Sequence, residues 1–328
     1  MANPNSLFTE LTVATLKNRK KDIADNMSQH NALWRRIKEK NGIRSVNGGT
    51  TIVENLDYAE NQTFTRYSGY DLLNISPSTV FTASEYLWVQ AAVNVTYSGR
   101  EERVNMGDKT RVFDLVKNRT NNAIATAANV MNRDMYSAGT LANQLGGLQL
   151  IVADTNTNTV GGIDGGSFAF WRNKTWSAAT SEGSAVTLSS ANILQYMNKM
   201  WMRLIRGTDN PDFILMSPTW YQYYEASQQQ LQRYMKSTDA VAGFETLKYK
   251  TADVFFDQTT NEFGDTVMPD SHAYFINTKY IKMCQHPDAQ WTPAEDKVSV
   301  NQDATIIPLL WMGQMTCSNR FLQGVMTA

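Results

Sequence analysis

Residues Thr50–Tyr97, TTIVENLDYAENQTFTRYSGYDLLNISPSTVFTASEYLWVQAAVNVTY, are polar, aromatic and β-prone, with few bulky aliphatic positions before their last third. They lead into one uninterrupted helical pattern at Asp108–Ala138, about 45 Å long at 1.5 Å per residue. A compact monomer has little use for a thinly apolar excursion ahead of so long a rod. The pairing implies a subunit with projecting parts that other copies cover.

Within the stretch, Leu87, Val89, Ala91, Val93, Val95 and Tyr97 alternate with Trp88, Gln90, Ala92, Asn94 and Thr96. Period two places one row on a packed face and leaves the other polar. Thr50–Tyr58 and Thr63–Tyr67 read as weaker strands, and the chain turns back between Ser68 and Pro77. Together they predict a long two-stranded excursion, which is marginal in water without packing partners. In the helix, Phe113, Val116, Thr120, Ile124, Ala127, Met131 and Met135 step by three or four residues, a narrow stripe suited to lying along a sheet. Asp108 is the expected N-cap and Gly139 the stop. Charged heptad flanks are lacking, which disfavours a coiled coil.

Around this centre the pattern is mixed. Residues 7–40 read as a broken helix ended by Asn41-Gly42, and Asn47-Gly48-Gly49 separates that arm from the β region. Ala153–Ser190 is rich in Thr, Asn, Gly and Ser. Ser190 is the expected cap of a helix bearing Ile193, Met197, Trp201 and Leu204, ended by Gly207. Asp212–Met216 reads as a buried strand, and Ser217-Pro218 opens another helix with proline in its first turn. Strands are expected at Leu247–Phe256, Ala273–Met283, Asp296–Ala304 and Thr316–Met326. There is no regular βαβ beat and no repeat of fixed period, so the fold class is α+β.

Charge is near balance overall, at −1, so no global field favours nucleic acid or membrane. It is unevenly spread: residues 1–50 hold nine Lys/Arg against four acids. A basic arm suits a polyanion or an acidic neighbour, and equally a solvated, salt-bridged helix. The two cysteines, Cys284 and Cys317, are too few for a disulfide scaffold and fit a reducing compartment. No run approaches eighteen apolar residues, and Met1–Asn5 has neither a basic start nor an apolar run, so neither a membrane span nor a signal peptide is expected. A cytoplasmic product is expected.

Candidate chemistry is thin. Gly161-Gly162-Ile163-Asp164-Gly165-Gly166 lacks the Lys-Ser/Thr ending of a phosphate loop and reads as a surface turn. Cys284-Gln285-His286 has no second ligand pair at zinc spacing, and with His30, His272 and His286 far apart a catalytic triad has little material. Arg100-Glu101-Glu102-Arg103, between strand and helix, reads as salt bridges, internal or between subunits, rather than as acid–base machinery. Tyr221, Tyr223 and Tyr224 beside Trp220 fall on a helix and read as core or interface. No catalytic residue, cofactor or metal site is expected, and the chain reads as no enzyme.

The order of parts resembles the major capsid protein of tailed bacteriophages, the Hong Kong 97-type fold. The resemblance rests on Leu309-Leu310-Trp311-Met312-Gly313-Gln314 with Ser318-Asn319-Arg320-Phe321 and Gly324, and on Asp212-Phe213-Ile214-Leu215-Met216-Ser217-Pro218-Thr219-Trp220. It implies an N-terminal arm at 1–48, an extended β-hairpin loop at 49–104, and a peripheral domain with its spine helix at 105–144. It further implies an axial domain over most of 145–257 and return strands at 258–328. The implied function is self-assembly into hexamers and pentamers of an icosahedral head around double-stranded DNA, built in the host cytoplasm. Lys17, Arg19, Lys20, Lys21, Arg35 and Arg36 would contact DNA or neighbouring arms, and Arg100, Glu101, Glu102 and Arg103 would bridge subunits. Partners would be other copies, a portal, a separate scaffolding protein and a decoration protein, with no membrane.

Some members of that family weld subunits through a lysine of the extended loop. Here no lysine lies between Asn41 and Asp108, so a non-covalent shell is expected. The arm starts at once, which favours a separate scaffolding protein. Two alternatives remain. One is an encapsulin-like nanocompartment shell; the other is a β-rich carbohydrate-binding or tail module, suggested by Trp88, Trp171, Trp176 and Trp220.

Overall fold

The computed structural model describes residues 32–101, 109–228, 247–260, 264–293, 297–298 and 302–328. Lys17, Arg19, Lys20, Lys21, Glu102, Arg103 and the expected cap Asp108 lie outside them.

Two sheets organise the chain. The first is built on β14 (Ala304–Cys317), flanked by β12 (Ile281–Pro293) and β13 (Lys297–Val298) on one side and by β4 (Val89–Ser98) on the other. β1 (Ile43–Ser45) extends it, parallel to β12. β4 and β14 run antiparallel through ten registered pairs, from Val89↔Gly313 to Ser98↔Ala304. Pro308 stands inside β14 opposite Asn94 of β4, at a position whose nitrogen the β4–β14 ladder does not use.

The second sheet has the order β7 (Lys174–Ser177), β15 (Gly324–Thr327), β11 (His272–Ile276), β8 (Phe213–Met216), β10 (Ala252–Phe256) and β9 (Leu247–Tyr249). All four residues of β8 are buried. Phe213 and Leu215, with Tyr274 and Ile276 of β11, belong to one core; Ile214 and Met216, with Ala273 and Phe275, belong to another. The period-two alternation of strands thus deals successive side chains to two cores, so β8 reads as a continuous apolar run.

The first core is completed by α1 (Ala32–Glu39) and α2 (Lys109–Tyr136). Of the expected stripe, Thr120, Ile124, Ala127, Met131 and Met135 are buried, together with Ala123, Ala128 and Tyr136, while the side chains of Phe113 and Val116 lie outside the described ones. Gly139, with φ +66°, follows the helix end. The return loop presses Gly147 against the helix: a Cβ there would stand 2.5 Å from the Asp134 carbonyl oxygen and 2.4 Å from that of Met135. The short helix α3 (Leu148–Ile151) follows. The second core packs α4 (Ile193–Arg203) and α5 (Pro218–Gln228) on the opposite face of the sheet.

Several expected elements are corrected. Leu87–Tyr97 is interrupted at Trp88, separating β3 (Phe81–Leu87) from β4. β3 pairs with β2 (Thr51–Asp57), whereas β4 lies in the first sheet. Thr63–Tyr67 is not a strand; Asn61 Oδ1 accepts from Thr63 N, Thr63 Oγ1 and Ser78 Oγ and holds the connection in turns. Ser190 does not cap α4: Asn192 holds that position, its Oδ1 taking the Ser189 N–H. The runs expected at Leu247–Phe256, Ala273–Met283 and Thr316–Met326 each split in two. The breaks are a turn at Lys250 (φ +54°), a turn at Asn277–Tyr280, and the segment holding Arg320.

Arg320 is fully buried and meets no carboxylate among the described residues. Its Nε donates to the Ile151 carbonyl at 2.7 Å, and its Nη2 to Asn158 Oδ1 at 2.7 Å and Asn173 Oδ1 at 3.1 Å. It thereby ties the β14–β15 link to the loop region. His272 makes a second tie. Nδ1 lies 2.7 Å from the Asp270 carbonyl and Nε2 3.0 Å from Asp154 Oδ2. Both partners only accept, an arrangement that favours the doubly protonated ring. Burial opposes the charge, but the Asp154 carboxylate and the Asp270 carbonyl outweigh it and raise the pKa.

Gly147→Ala is expected to cost ~1–3 kcal/mol, since backbone cannot yield to the new methyl. Arg320→Ala, which leaves the buried Ile151 carbonyl and Asn173 Oδ1 unmet, is expected to cost about 3 kcal/mol or more; Arg320→Lys should recover only part of it. Denaturant melts check both. A raised histidine pKa stabilises most below the unfolded value of about 6.5 and loses that contribution as pH rises through the folded value. Melts from acid to mildly alkaline pH should show this loss in the native chain and not in His272→Gln.

Candidate assembly surfaces

The β2–β3 hairpin is fastened at its root and bare beyond it. Ile52 and Tyr86 are buried with Val160 and Cys284. Glu54, buried on β2, accepts from Arg44 Nη1 at 3.0 Å and from Thr316 Oγ1 at 3.2 Å. Tyr86 donates its hydroxyl to the Cys317 carbonyl at 2.9 Å and accepts from the Cys317 N–H at 3.2 Å. Burial pushes this phenol's pKa upward. Beyond the root, Phe64, Tyr67, Tyr70, Leu72, Leu73 and Ile75 are all exposed, Leu72 to 98% and Ile75 to 91%. Soluble chains seldom leave such a set uncovered unless it is an interface.

A second surface lies beside α2. The edge of β4 from Val93 to Ser98 and the helix residues Asn118, Arg119, Asn122, Ala123 and Thr126 enclose an open groove of about 790 Å³. Glu101 closes one end: its carboxylate pairs with Arg119 Nη2 at 3.0 Å and accepts from Ser98 N at 2.8 Å. Burial opposes this charge, but the Arg119 and Ser98 donors hold the carboxyl below its ordinary range. Arg100 is exposed and makes no ion pair among the described residues. Thus Glu101 has an internal partner, and the structure does not bring it together with Arg100.

Of the basic arm, Arg35 pairs with Glu39 at 2.8 Å. Arg36, with a side chain 14% exposed, pairs with Asp253 at 3.0 Å, donates to the Asp212 carbonyl at 2.9 Å and lies over the Phe213 ring. This arginine bolts α1 onto the ends of β8 and β10. Its role was hidden in the sequence because both carboxylates lie far along the chain.

The remaining candidates resolve into structure. Gly161 and Gly162 turn the β5 (Thr159–Val160) to β6 (Ile163–Asp164) hairpin, and Asp164 accepts from Gly166 N and from Ser167 N and Oγ. The Ser167 hydroxyl and these N–H groups hold its carboxyl below the ordinary range. Cys284 Sγ meets Thr316 Oγ1 at 3.6 Å, while the His286 ring lies edge-on to Trp88. No group of three metal-ligating side chains occurs among the described residues. Trp171, Trp176 and Trp220 are buried, so they form no exposed aromatic platform. No helix among the described residues is long and apolar enough to cross a membrane.

No family model matches the sequence, and comparison with curated proteins finds no match. Solved structures do match, over most of both chains. The Cyanophage A-1(L) capsid asymmetric unit aligns with a TM-score of 0.58 at 14% identity, covering 88% of this chain and 90% of that one. The capsid of an empty GTA particle gives 0.56 at 11% identity, covering 99% and 95%. The holo-SrpI encapsulin complex from Synechococcus elongatus gives 0.52 at 9%, covering 88% and 86%. What is shared at such identities is the architecture: this chain has the fold seen in these capsid and encapsulin shell subunits.

Proposed function

We propose that the chain is a shell-forming coat subunit whose hexamers and pentamers tile an icosahedral head around double-stranded DNA. The observation that carries this reading is the hairpin with six exposed large apolar residues, on a fold shared with capsid shells. Covering one such side chain gains about 1.5–3 kcal/mol. Six amount to about 9–18 kcal/mol, comparable with the ~4–15 kcal/mol cost of association. One contact alone is therefore marginal, whereas a ring in which each copy both covers and is covered holds together.

In this reading residues 1–48 are the arm and 49–104 the extended loop. Residues 105–144 hold the peripheral domain with α2 as its spine, 145–257 most of the axial domain, and 258–328 the return strands. Lys17, Arg19, Lys20 and Lys21 would meet packaged phosphate without sequence preference. A portal, a separate scaffolding protein and a decoration protein are the further partners, and the virion is the location. A second reading, an encapsulin-like compartment, is favoured by the encapsulin match.

Negative-stain electron microscopy with light scattering on the purified chain should show closed shells, or rings of five and six. A chain that stays monomeric or dimeric at high concentration, with and without a crowding agent, would overturn the proposal. Absorbance of purified shells separates the two readings: nucleic acid inside supports the phage head, protein cargo the compartment. Boiled in SDS, the shells should run as a single 36.9 kDa band; a ladder of high-mass bands would refute the non-covalent assignment.

A further inference from the structure

α4 carries its positive charge in a row. Lys199 and Arg203, one turn apart, share its exposed side, and Arg206 follows just past the helix end, exposed as well. The two ends of the row are balanced. Lys199 Nζ pairs with Glu182 at 2.5 Å. Arg206 Nη2 meets Asp209 at 3.5 Å, and Lys279 Nζ reaches the same carboxylate at 3.1 Å. The middle is not balanced. Arg203 Nη1 donates to the Thr175 carbonyl at 3.1 Å, and Arg203 meets no carboxylate among the described residues.

A second cation is held beside it. Lys174 precedes Thr175 on β7, the edge strand of the second sheet. Trp176 of β7 packs in the core that α4 covers, and period two puts Lys174 on that same side. Its Nζ lies 3.4 Å from the centroid of the Phe321 ring, and it too meets no carboxylate among the described residues. Burial and the Arg203 charge both lower the Lys174 pKa. A helix C-terminus favours one cation, which accounts for Arg203 but not for a half-buried lysine against it. Like charges this close repel unless an anion stands between them.

The surroundings say what kind of anion. Lys250 Nζ bonds Asn198 Oδ1 on α4 and lies over the Trp201 ring, which adds a sixth base to Lys174, Lys199, Arg203, Arg206 and Lys279. Among the described residues, the acids that touch these six are Glu182 and Asp209. One acidic side chain from another protein would leave most of that excess unbalanced. A chain of phosphates supplies one charge after another along the row. Arg203 Nε and Nη2 make no bond among the described residues, which leaves donors of the guanidinium fork for phosphate oxygens.

We propose that Lys174 and Arg203 form a phosphate site, and that the row from Lys199 to Arg206 lies along the backbone of nucleic acid inside the shell. The inference rests on the phage-head reading and adds that the α4 side of the second sheet looks inward. The contacts are to phosphate alone, so they fix position without preferring a base sequence.

The test uses the full chain, below the concentration at which it assembles, as Lys174→Gln and Arg203→Gln. The control is Lys248→Gln, which removes a base of β9 whose neighbours Leu247 and Tyr249 pack toward the second core. Glutamine relieves the repulsion, so Lys174→Gln should melt at or above the native temperature in sodium chloride. At equal ionic strength, inorganic phosphate should raise the native melting temperature by more than it raises that of Lys174→Gln; equal rises would overturn the phosphate site. Anisotropy of a labelled DNA duplex of random sequence tests the occupant. The slope of log K against log salt should fall by about one for each site variant and stay unchanged for Lys248→Gln. Unchanged slopes in both site variants would overturn the nucleic-acid assignment, and shells lost with slopes unchanged would give the face to contacts between copies. A native chain that forms no shells at higher concentration would overturn the shell reading itself, separately from the phosphate melts.

Discussion

The second sheet is buried on both faces, and most of the architecture follows from that. A strand with solvent on one side can alternate apolar with polar residues; β8 cannot, and Phe213-Ile214-Leu215-Met216 fills both rows. Each row then needs its own cover. α1, α2 and the first sheet supply one, α4 and α5 the other. Because successive residues of β8 and β11 belong to different cores, a one-residue slip in register would exchange the two packings. The two halves of the molecule therefore share one wall and are set by one register.

Polar ties fasten the less regular parts to that wall. Arg320 replaces the counter-charge a buried cation ordinarily needs with carbonyl and amide oxygens from Ile151, Asn158 and Asn173. Partners of this kind are fixed by backbone position, so the guanidinium sets how the loop region sits against the β14–β15 link. Arg36 does the same for α1 through Asp212 and Asp253, and His272 for the segment at Asp154. The hairpin root follows the same logic, with Glu54 and Tyr86 bonded into β14. Rigid anchorage at the root and bare apolar side chains beyond it are what an element requires if it is to carry load between copies.

The distribution of apolar surface separates folding from assembly. Side chains of the two cores are buried within the chain itself. Those of Phe64 to Ile75 are not, and among the described residues no strand matches the outer edge of β4. A chain stable through its cores can keep its association surfaces weak one by one, so that closure of a ring decides assembly. The polar helix residues Asn118, Asn122 and Thr126 line the groove beside β4.

The sequence by itself determined what local periodicity and composition control. The stripe from Thr120 to Met135, the buried run at Phe213–Met216, the Ser217-Pro218 start of α5, the turn at Gly161-Gly162 and the projecting excursion were legible because each is written in neighbouring residues. The resemblance carried by Leu309–Gly324 supplied the fold. Only the tertiary structure decided where apolar runs break and with what they pair. Ala273–Met283 and Thr316–Met326 look continuous because residues on both sides of each turn are buried, and nothing local marks that the halves enter different sheets. The partition of Thr50–Tyr97 into a hairpin and a sheet strand at Trp88, the open edge of β4, and the partners of Arg36, Glu101 and Arg320 depend on contacts between residues far apart in the chain. Such contacts leave no periodic signal, because they are set by how elements pack rather than by the order in which they are written.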